Sequence, residues 1–345
     1  MAKLRGLIVD DSKFVQEALK AIFASDGDIE IAGVADDGLQ AIEKVRHLKP
    51  DFVTMDLQMP VMNGLESMER ILAEHPVPIF VISDNTDSEM AFLALSKGAL
   101  EIIPKSEIRL KKAGELLARI KLLARKSPFR TPTRANACAA TKPGKNPFLP
   151  AAGKHDFDRV VAIACSTGGP KALDVILSAL PGDFPYPILI AQHIADGFVT
   201  GLVKWIDATS ALRVKEGGWG EAIRPGSVYI SPVDKHMTVT EKGTLTFVER
   251  LENDIYHPSC DKLLASAGQV YGKNTIGVIL TGMGSDGVEG IKAIKQKGGV
   301  TLAQDEKSCA IFGMPKIAIE AGCIDKILPL EMIGAYLVQL AKSTV

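Results

Sequence analysis

The sequence is poor in most of the features that would mark a specialised class. It has only five cysteines in 345 residues, Cys138, Cys165, Cys260, Cys309 and Cys323, odd in number and without a CxxC pair. That excludes a disulfide scaffold and a zinc ribbon, and reduced thiols in a cytoplasmic protein are expected. No apolar stretch is long enough for a membrane span or a signal peptide, since Met1-Ala2-Lys3-Leu4-Arg5-Gly6 leads straight into a strand, so membrane insertion is not expected. Neither sign of charge dominates: 40 Lys and Arg offset 41 Asp and Glu, for a formal net charge of −1. The electrostatic footprint of a nucleic-acid binder is therefore missing, as is a basic face for anionic lipid. What is present, 46% hydrophobic and 23% charged residues, is ordinary globular composition. The length suits two domains at about 100–200 residues each.

The first of these spans residues 1–124. Leu7-Ile8-Val9-Asp10-Asp11 is a buried strand ending in two acids, and a helical pattern through Phe14, Ala18, Ile22 and Phe23 follows it. A second strand–helix unit covers Glu30 to Leu48. Pro50 to Asp56, Ile79 to Ser83 and Ala99 to Lys105 are the third, fourth and fifth strands. Strands alternating with helices predict a parallel, doubly wound sheet, whose ligand crevice lies at the carboxyl ends of its strands. Asp10, Asp11, Asp56, Ser83 and Lys105 all fall there. Two unit charges about 4 Å apart cost roughly 4 kcal/mol at an effective dielectric of 20. The competing reading is that strand-end acids are solvated helix caps; with all of these residues converging, a Mg²⁺ ion held by Asp10, Asp11 and Asp56 is expected to resolve that repulsion. Asp56 then becomes a nucleophile toward a phosphoryl group whose oxygens meet the metal, Ser83 and Lys105.

These residues, with Met59-Pro60-Val61-Met62-Asn63-Gly64, resemble the receiver domain of bacterial response regulators from about Lys3 to Lys121. The resemblance implies a flavodoxin-like fold, Asp56 as phosphoacceptor, Asp10 and Asp11 as metal acids, Ser83 as switch hydroxyl and Lys105 as phosphate contact. Two positions depart from the usual pattern: Ser106 follows the lysine where proline is customary, and Ile102 stands at the aromatic switch position.

Residues 125–155 read as a linker. Ser127-Pro128-Phe129-Arg130-Thr131-Pro132 and Lys142-Pro143-Gly144-Lys145-Asn146-Pro147 are basic, proline-rich and without hydrophobic periodicity, the composition of a solvated tether.

The second domain, 156–345, is organised around Val160-Val161-Ala162-Ile163-Ala164-Cys165-Ser166-Thr167-Gly168-Gly169-Pro170. A β-branched run predicts a buried strand. Leu173, Ile176, Leu177 and Leu180 then mark one face of a helix, with Pro170 suited to its first turn. Ser166 thus falls on a strand-to-helix turn near free backbone donors, where a nucleophile that creates an oxyanion is well served. The competing reading is a Gly-rich turn capped by Ser or Thr. Pro187 to His193 is a further buried strand, and Thr275 to Gly287 a strand entering a glycine loop that carries Asp286. Ser166, His193 and Asp286 at three strand ends compose a nucleophile, a base and an acid. The chain order differs from that of α/β-hydrolases. Gly282-Met283-Gly284-Ser285-Asp286-Gly287 is also a literal G-x-G-x-x-G with Asp305 downstream, as in dinucleotide-binding folds, although Asp286 would set negative charge against a pyrophosphate. Cys165 is expected to be a buried structural thiol, and His236, His257 and His155 show no metal spacing. Tyr229-Ile230-Ser231-Pro232 and a hairpin over Thr238 to Phe247, turning at Lys242-Gly243, suggest an antiparallel flap at one edge.

Together, Ile163 to Pro170, Gln192-His193, His236-Met237, His257-Pro258-Ser259 with Asp261, Thr281 to Gly287, and Phe312-Gly313-Met314-Pro315 resemble the catalytic domain of the chemotaxis protein-glutamate methylesterases, from about Asp156 to Leu340. Cys165 and Ile194-Ala195-Asp196 depart from that pattern. The resemblance implies a Rossmann-like, mostly parallel sheet. It also implies a Ser166–His193–Asp286 triad, with Thr167 and the Met283 amide holding the oxyanion. The expected activity is hydrolysis of glutamate γ-methyl esters and deamidation of glutamines on chemoreceptors, with no cofactor for that step. A chemotaxis histidine kinase is the expected phosphodonor, a monomer the expected state. The unphosphorylated first domain is expected to inhibit the second until Asp56 is phosphorylated. A phosphorylation-controlled adaptor with an inactive hydrolase fold is the alternative.

Overall fold

The computed structural model describes residues 2–126, 157–252 and 254–342. The chain divides into two compact units, Met1–Cys138 and Ala139–Val345. The linker predicted for 125–155 lies outside the described residues, apart from Arg125 and Lys126, which close a helix.

In the first unit the apolar runs become β1 (Leu4–Val9), β2 (Ile29–Ala35), β3 (Phe52–Asp56), β4 (Ile79–Ser83) and β5 (Glu101–Pro104). They lie in the order β2-β1-β3-β4-β5, and every pairing is parallel. Parallel neighbours require crossovers, here α1 (Lys13–Ala24), α2 (Gly38–Leu48), α3 (Gly64–Glu74) and α4 (Ser88–Ser96), with α5 (Ala113–Lys126) after the last strand. Short polar residues begin three of them: the side chains of Ser12, Asp37 and Asn63 each accept a backbone N–H in the first turn, removing an otherwise orphaned donor. Covered on both faces, β3 is buried at every position. Phe23, Phe52 and Phe80 meet edge to face in the core, with centroids 5.6 and 6.0 Å apart. This strand order sets the ends of β1 and β3 side by side at the switch point.

The second unit holds β6 (Val160–Cys165), α6 (Gly169–Ser178), β7 (Ile188–Gln192), α7 (Val199–Thr209), β8 (Arg213–Glu216), β9 (Ser227–Ile230), β10 (Lys235–Val239), β11 (Leu245–Glu249), α8 (Cys260–Tyr271), β12 (Thr275–Ile279), α9 (Val288–Gln296), β13 (Val300–Gln304), α10 (Met314–Glu320), β14 (Lys326–Leu328) and α11 (Leu330–Lys342). Seven strands form a parallel sheet ordered β14-β13-β12-β6-β7-β9-β8, so the central β6 lies between β12 and β7. The stripe predicted for α6 is buried, with Leu173, Ile176, Leu177 and Leu180 at most 2% exposed.

The antiparallel hairpin is present as β10 and β11, with Gly243 at its turn at φ +69°. Tyr229-Ile230 does not join it, contrary to the expected flap. That run is β9, parallel to both β7 and β8, whereas β10 and β11 form a separate two-stranded sheet whose Met237, Val239 and Leu245 pack with Leu263 and Leu264 of α8. A short apolar run carries no mark of its partner's direction. Among the described residues no helix is long and apolar enough to cross a membrane.

Candidate active site

Ser166 follows the last residue of β6, and its N–H donates to the carbonyl of Thr281 at 3.0 Å, beyond the end of β12. The chain then turns into α6 through Gly168 and Gly169. Gly168 sits at φ +76°, and a Cβ at Gly169 would lie 2.0 Å from Gln192 Oε1. Glycine is required at the first by backbone conformation and at the second by space. Gln192, buried at the end of β7, donates through Nε2 to the carbonyls of Ser166 at 2.9 Å and His193 at 2.7 Å. One amide therefore ties the two neighbouring strand ends together. Thr281 adds a second tie, its hydroxyl accepting from Ile311 N and donating to Thr167 O, both at 2.9 Å. Among the described residues the Ser166 hydroxyl has no hydrogen-bond partner, and neither have the N–H groups of Thr167 and Met283.

His193 begins the loop after β7, where its N–H donates to Cys165 O at 3.0 Å. Its Nε2 lies 2.7 Å from Asp286 Oδ2. One face of the ring stacks on Tyr256, with centroids 5.0 Å apart and planes 11° from parallel. Asp286 is itself fixed by the start of α8, accepting from Cys260 N at 2.7 Å, Asp261 N at 2.9 Å and the Ser259 hydroxyl at 3.3 Å. In return Asp261, in the first turn of α8, accepts from Gly287 N at 2.9 Å and Gly290 N at 2.7 Å at the start of α9, so each acid caps the helix beside the other. Helix N-termini favour negative charge. Burial pushes the Asp286 carboxyl up, but the hydrogen bond and charge of His193, with the two backbone donors, more than reverse this and hold it below the usual carboxylate range. Asp261 goes the other way: burial, reinforced by the Asp286 charge, outweighs its backbone donors and raises it.

Cys165 is fully buried, and burial alone pushes its thiol far above the ordinary value. His236 is buried between Asp254 Oδ2 at 2.6 Å and Ser259 N at 2.8 Å, bracing the loop that leads to α8. Asp305, the acid of the dinucleotide reading, accepts from Ser308 N at 3.0 Å and so caps its own turn.

In the first unit Asp10, Asp11 and Asp56 bring carboxylate oxygens within 4.8 Å of one another. Lys105 Nζ lies 2.9 Å from Asp56 Oδ2. Ser83 is buried at the end of β4, but its hydroxyl bonds Asp84 O at 3.1 Å, not Asp56. Burial and then the Asp56 charge push Asp10 up to about 6. Asp56 is also raised, by burial, with Lys105 opposing. Asp10 Oδ2 is buried without a partner, a costly state for a carboxylate. An orphaned oxygen in an all-oxygen donor set suits a hard cation such as Mg²⁺.

Gln192 and Ser259 enter the sequence reading only as members of the family motifs, without a role of their own, and Tyr256 and Cys260 are not singled out there. For Gln192 a polar residue ending the buried run Ile188 to Gln192 was a further signal.

The chain resembles known proteins over its whole length. Residues 161–337 match the CheB methylesterase family and residues 7–120 the response regulator receiver domain. It is 42% identical to a protein-glutamate methylesterase/protein-glutamine glutaminase of Paramagnetospirillum magneticum, across 99% of this chain and 98% of that one. It is 39% identical to the Thermotoga maritima protein of the same description, across 98% of each. The crystal structure of the Thermotoga maritima CheB methylesterase catalytic domain superposes on 55% of this chain and all of that one, at 40% identity and a TM-score of 0.51. With a receiver fold followed by a parallel-sheet domain of this kind, the chain belongs to the CheB family of receiver–methylesterase proteins.

Proposed function

We propose that this chain is a phosphorylation-regulated protein-glutamate methylesterase that also deamidates receptor glutamines, acting on methylated chemoreceptors through Ser166, His193 and Asp286. Asp286 accepts from His193 Nε2–H, so the neutral ring carries its lone pair on Nδ1. Nδ1 takes the Ser166 proton as Oγ attacks the γ-ester carbonyl, and the N–H groups of Thr167 and Met283 receive the oxyanion. Each such donor is worth about 3–4 kcal/mol. The imidazolium, stabilised by Asp286, returns the proton to the departing methoxide, and methanol leaves an acyl-Ser166. Water, deprotonated by the same nitrogen, attacks that acyl group, and Ser166 is restored as free glutamate leaves. Glutamine follows the same course with ammonia as the leaving group.

The observation that carries this reading is the 2.7 Å contact between His193 and a buried carboxylate held by two backbone donors; it is supported by a serine that follows the end of the neighbouring strand and whose hydroxyl has no partner among the described residues. Receiver regulation enters through Asp56, phosphorylated by a chemotaxis histidine kinase. Asp10, Asp11 and Asp56 would hold Mg²⁺ there, and the ion supplies charge neutralisation at the phosphoryl oxygens. Lys105 meets the phosphoryl group from the other side. Phosphorylation relieves the inhibition that the receiver imposes.

Methanol release from methylated receptor membranes tests both halves. Ser166→Ala is expected to abolish release while Cys165→Ala keeps most of it, and the opposite pattern reassigns the nucleophile. Acetyl phosphate with Mg²⁺ is expected to accelerate the wild type but not Asp56→Asn. Equal rates throughout remove the regulatory half.

A further inference from the structure

The hydrolytic steps leave one buried group beside His193 unused. Cys260 opens α8, and its backbone N–H is held by Asp286. Its thiol donates to Ala191 O at 3.4 Å, and Sγ lies 3.4 Å from His193 Nε2. Nitrogen, sulfur and carboxylate ligand atoms of His193, Cys260 and Asp286 lie within 4.8 Å of one another. We propose that these residues form a binding site for a borderline-soft divalent cation of the Zn²⁺ class, and that the bound ion disables His193 as a base. The second clause rests on the catalytic reading above; the first does not.

The donor set selects the ion. Imidazole, thiolate and carboxylate together suit Zn²⁺ and leave Mg²⁺ and Ca²⁺, which prefer all-oxygen shells, without a match. The spacing agrees. Metal–ligand lengths of about 2.05 Å for nitrogen and about 2.3 Å for sulfur at a tetrahedral angle put N and S about 3.6 Å apart. The structure has them at 3.4 Å. The edge from Nε2 to Asp286 Oδ2 has to open, from 2.7 Å to about 3.3 Å for a tetrahedral ion, and all three ligand atoms already lie within 4.8 Å of one another. Asp286 keeps Asp261 N and the Ser259 hydroxyl on its other oxygen, the outer-shell support that orients a metal-bound carboxylate. Water completes the fourth position.

The proton balance explains the inhibition. Binding releases the Cys260 thiol proton to solvent. It also displaces the ring proton from Nε2, and a neutral metal-bound imidazole carries its single proton on the other nitrogen. Nδ1 thereby changes from acceptor to donor and can no longer take the Ser166 proton.

The full chain is dialysed against buffered Zn²⁺, and separately against Co²⁺ as a spectroscopic probe, as wild type, Cys260→Ser and Cys260→Ala. The first unit is common to all three, so differences among them report on this site. The wild type is expected to bind one more equivalent of Zn²⁺ than either variant and to show a thiolate-to-Co²⁺ charge-transfer band that both lack. Loss of a direct ligand should weaken binding by at least about 100-fold, since outer-shell losses already cost 10–100-fold. Ester hydrolysis, scored against each protein's own zinc-free rate, is expected to be inhibited over the same zinc range in the wild type alone. Equal zinc stoichiometry in all three proteins, or a Co²⁺ complex without the thiolate band, overturns the site. Site-specific binding that leaves hydrolysis untouched overturns the inhibition. A wild type with no zinc-free hydrolysis counts against the catalytic reading instead, and dialysis still decides the site.

Discussion

Replacing Asp286 by asparagine asks one carboxamide to satisfy four donors. Oδ2 accepts from His193 Nε2 and Cys260 N, and Oδ1 from Asp261 N and the Ser259 hydroxyl. In either orientation the new NH₂ group faces a donor. With its oxygen toward His193, the amide meets Asp261 N; turned over, it meets Nε2 and drives the ring proton onto Nδ1. In both, the charge that stabilises the imidazolium is gone. Loss of the orienting acid in a Ser-His-Asp arrangement costs about 10⁴ in kcat, or about 5.5 kcal/mol of barrier. Stability changes far less. The start of α8 loses an anionic cap worth about 1–2 kcal/mol, while Asp261, which the Asp286 charge helps to raise, is relieved. We therefore expect kcat for methanol release from methylated receptor membranes to fall by about four orders of magnitude, with KM little changed. The thermal midpoint should fall by a few degrees at most. A variant that melts like the wild type and retains kcat within tenfold would refute the assignment of Asp286 as the group that holds His193.

Two further outcomes follow from groups elsewhere in the two units. Gln192→Leu leaves the carbonyls of Ser166 and His193 without their shared donor; at about 1–3 kcal/mol for each buried unsatisfied group, both the thermal midpoint and kcat should fall, and an unchanged kcat would remove Gln192 as a positioning residue. In Mg²⁺-free buffer the receiver unit should lose stability as pH rises. Asp10, at about 6 when folded against 3.8 ordinarily, binds its proton more tightly in the native state. Its destabilising effect is therefore absent below about pH 4, grows through the window between the two values and is complete above about pH 7, reaching about 2–3 kcal/mol. Denaturant midpoints across pH 4–7 read this directly, and Asp10→Asn, which has no proton to lose, should flatten the slope.

Much of the architecture was legible because parallel strands buried on both faces are near-continuous apolar runs, as are Leu7 to Val9, Val160 to Cys165 and, broken by Thr54, Phe52 to Met55. The candidate site was legible for a related reason: doubly wound sheets collect their chemistry at strand ends, and Asp10, Asp56, Ser166 and His193 all terminate or follow strands. What could not be read is the pairing across distance. Asp261 and Asp286 cap each other's helices across 25 residues, and Gln192 reaches back 26 residues to Ser166. Nothing local to either chain segment records such contacts. Tyr256 and Cys260 gave no signal because a lone aromatic or a lone cysteine has no spacing partner. Tyr229-Ile230 was assigned to the wrong sheet because its neighbour Pro232 and the nearby hairpin suggested a flap, and periodicity is blind to strand direction.

The proposed chemistry requires the Ser166 hydroxyl as nucleophile and His193 as its base. A serine-directed fluorophosphonate, followed by peptide mapping, tests this with no receptor present. The expected result is a single adduct on Ser166 in the wild type, slowed by at least about 10³-fold in His193→Ala. An adduct on Thr167, Cys165 or Cys260, or labelling of Ser166 at the same rate without the imidazole, would contradict it.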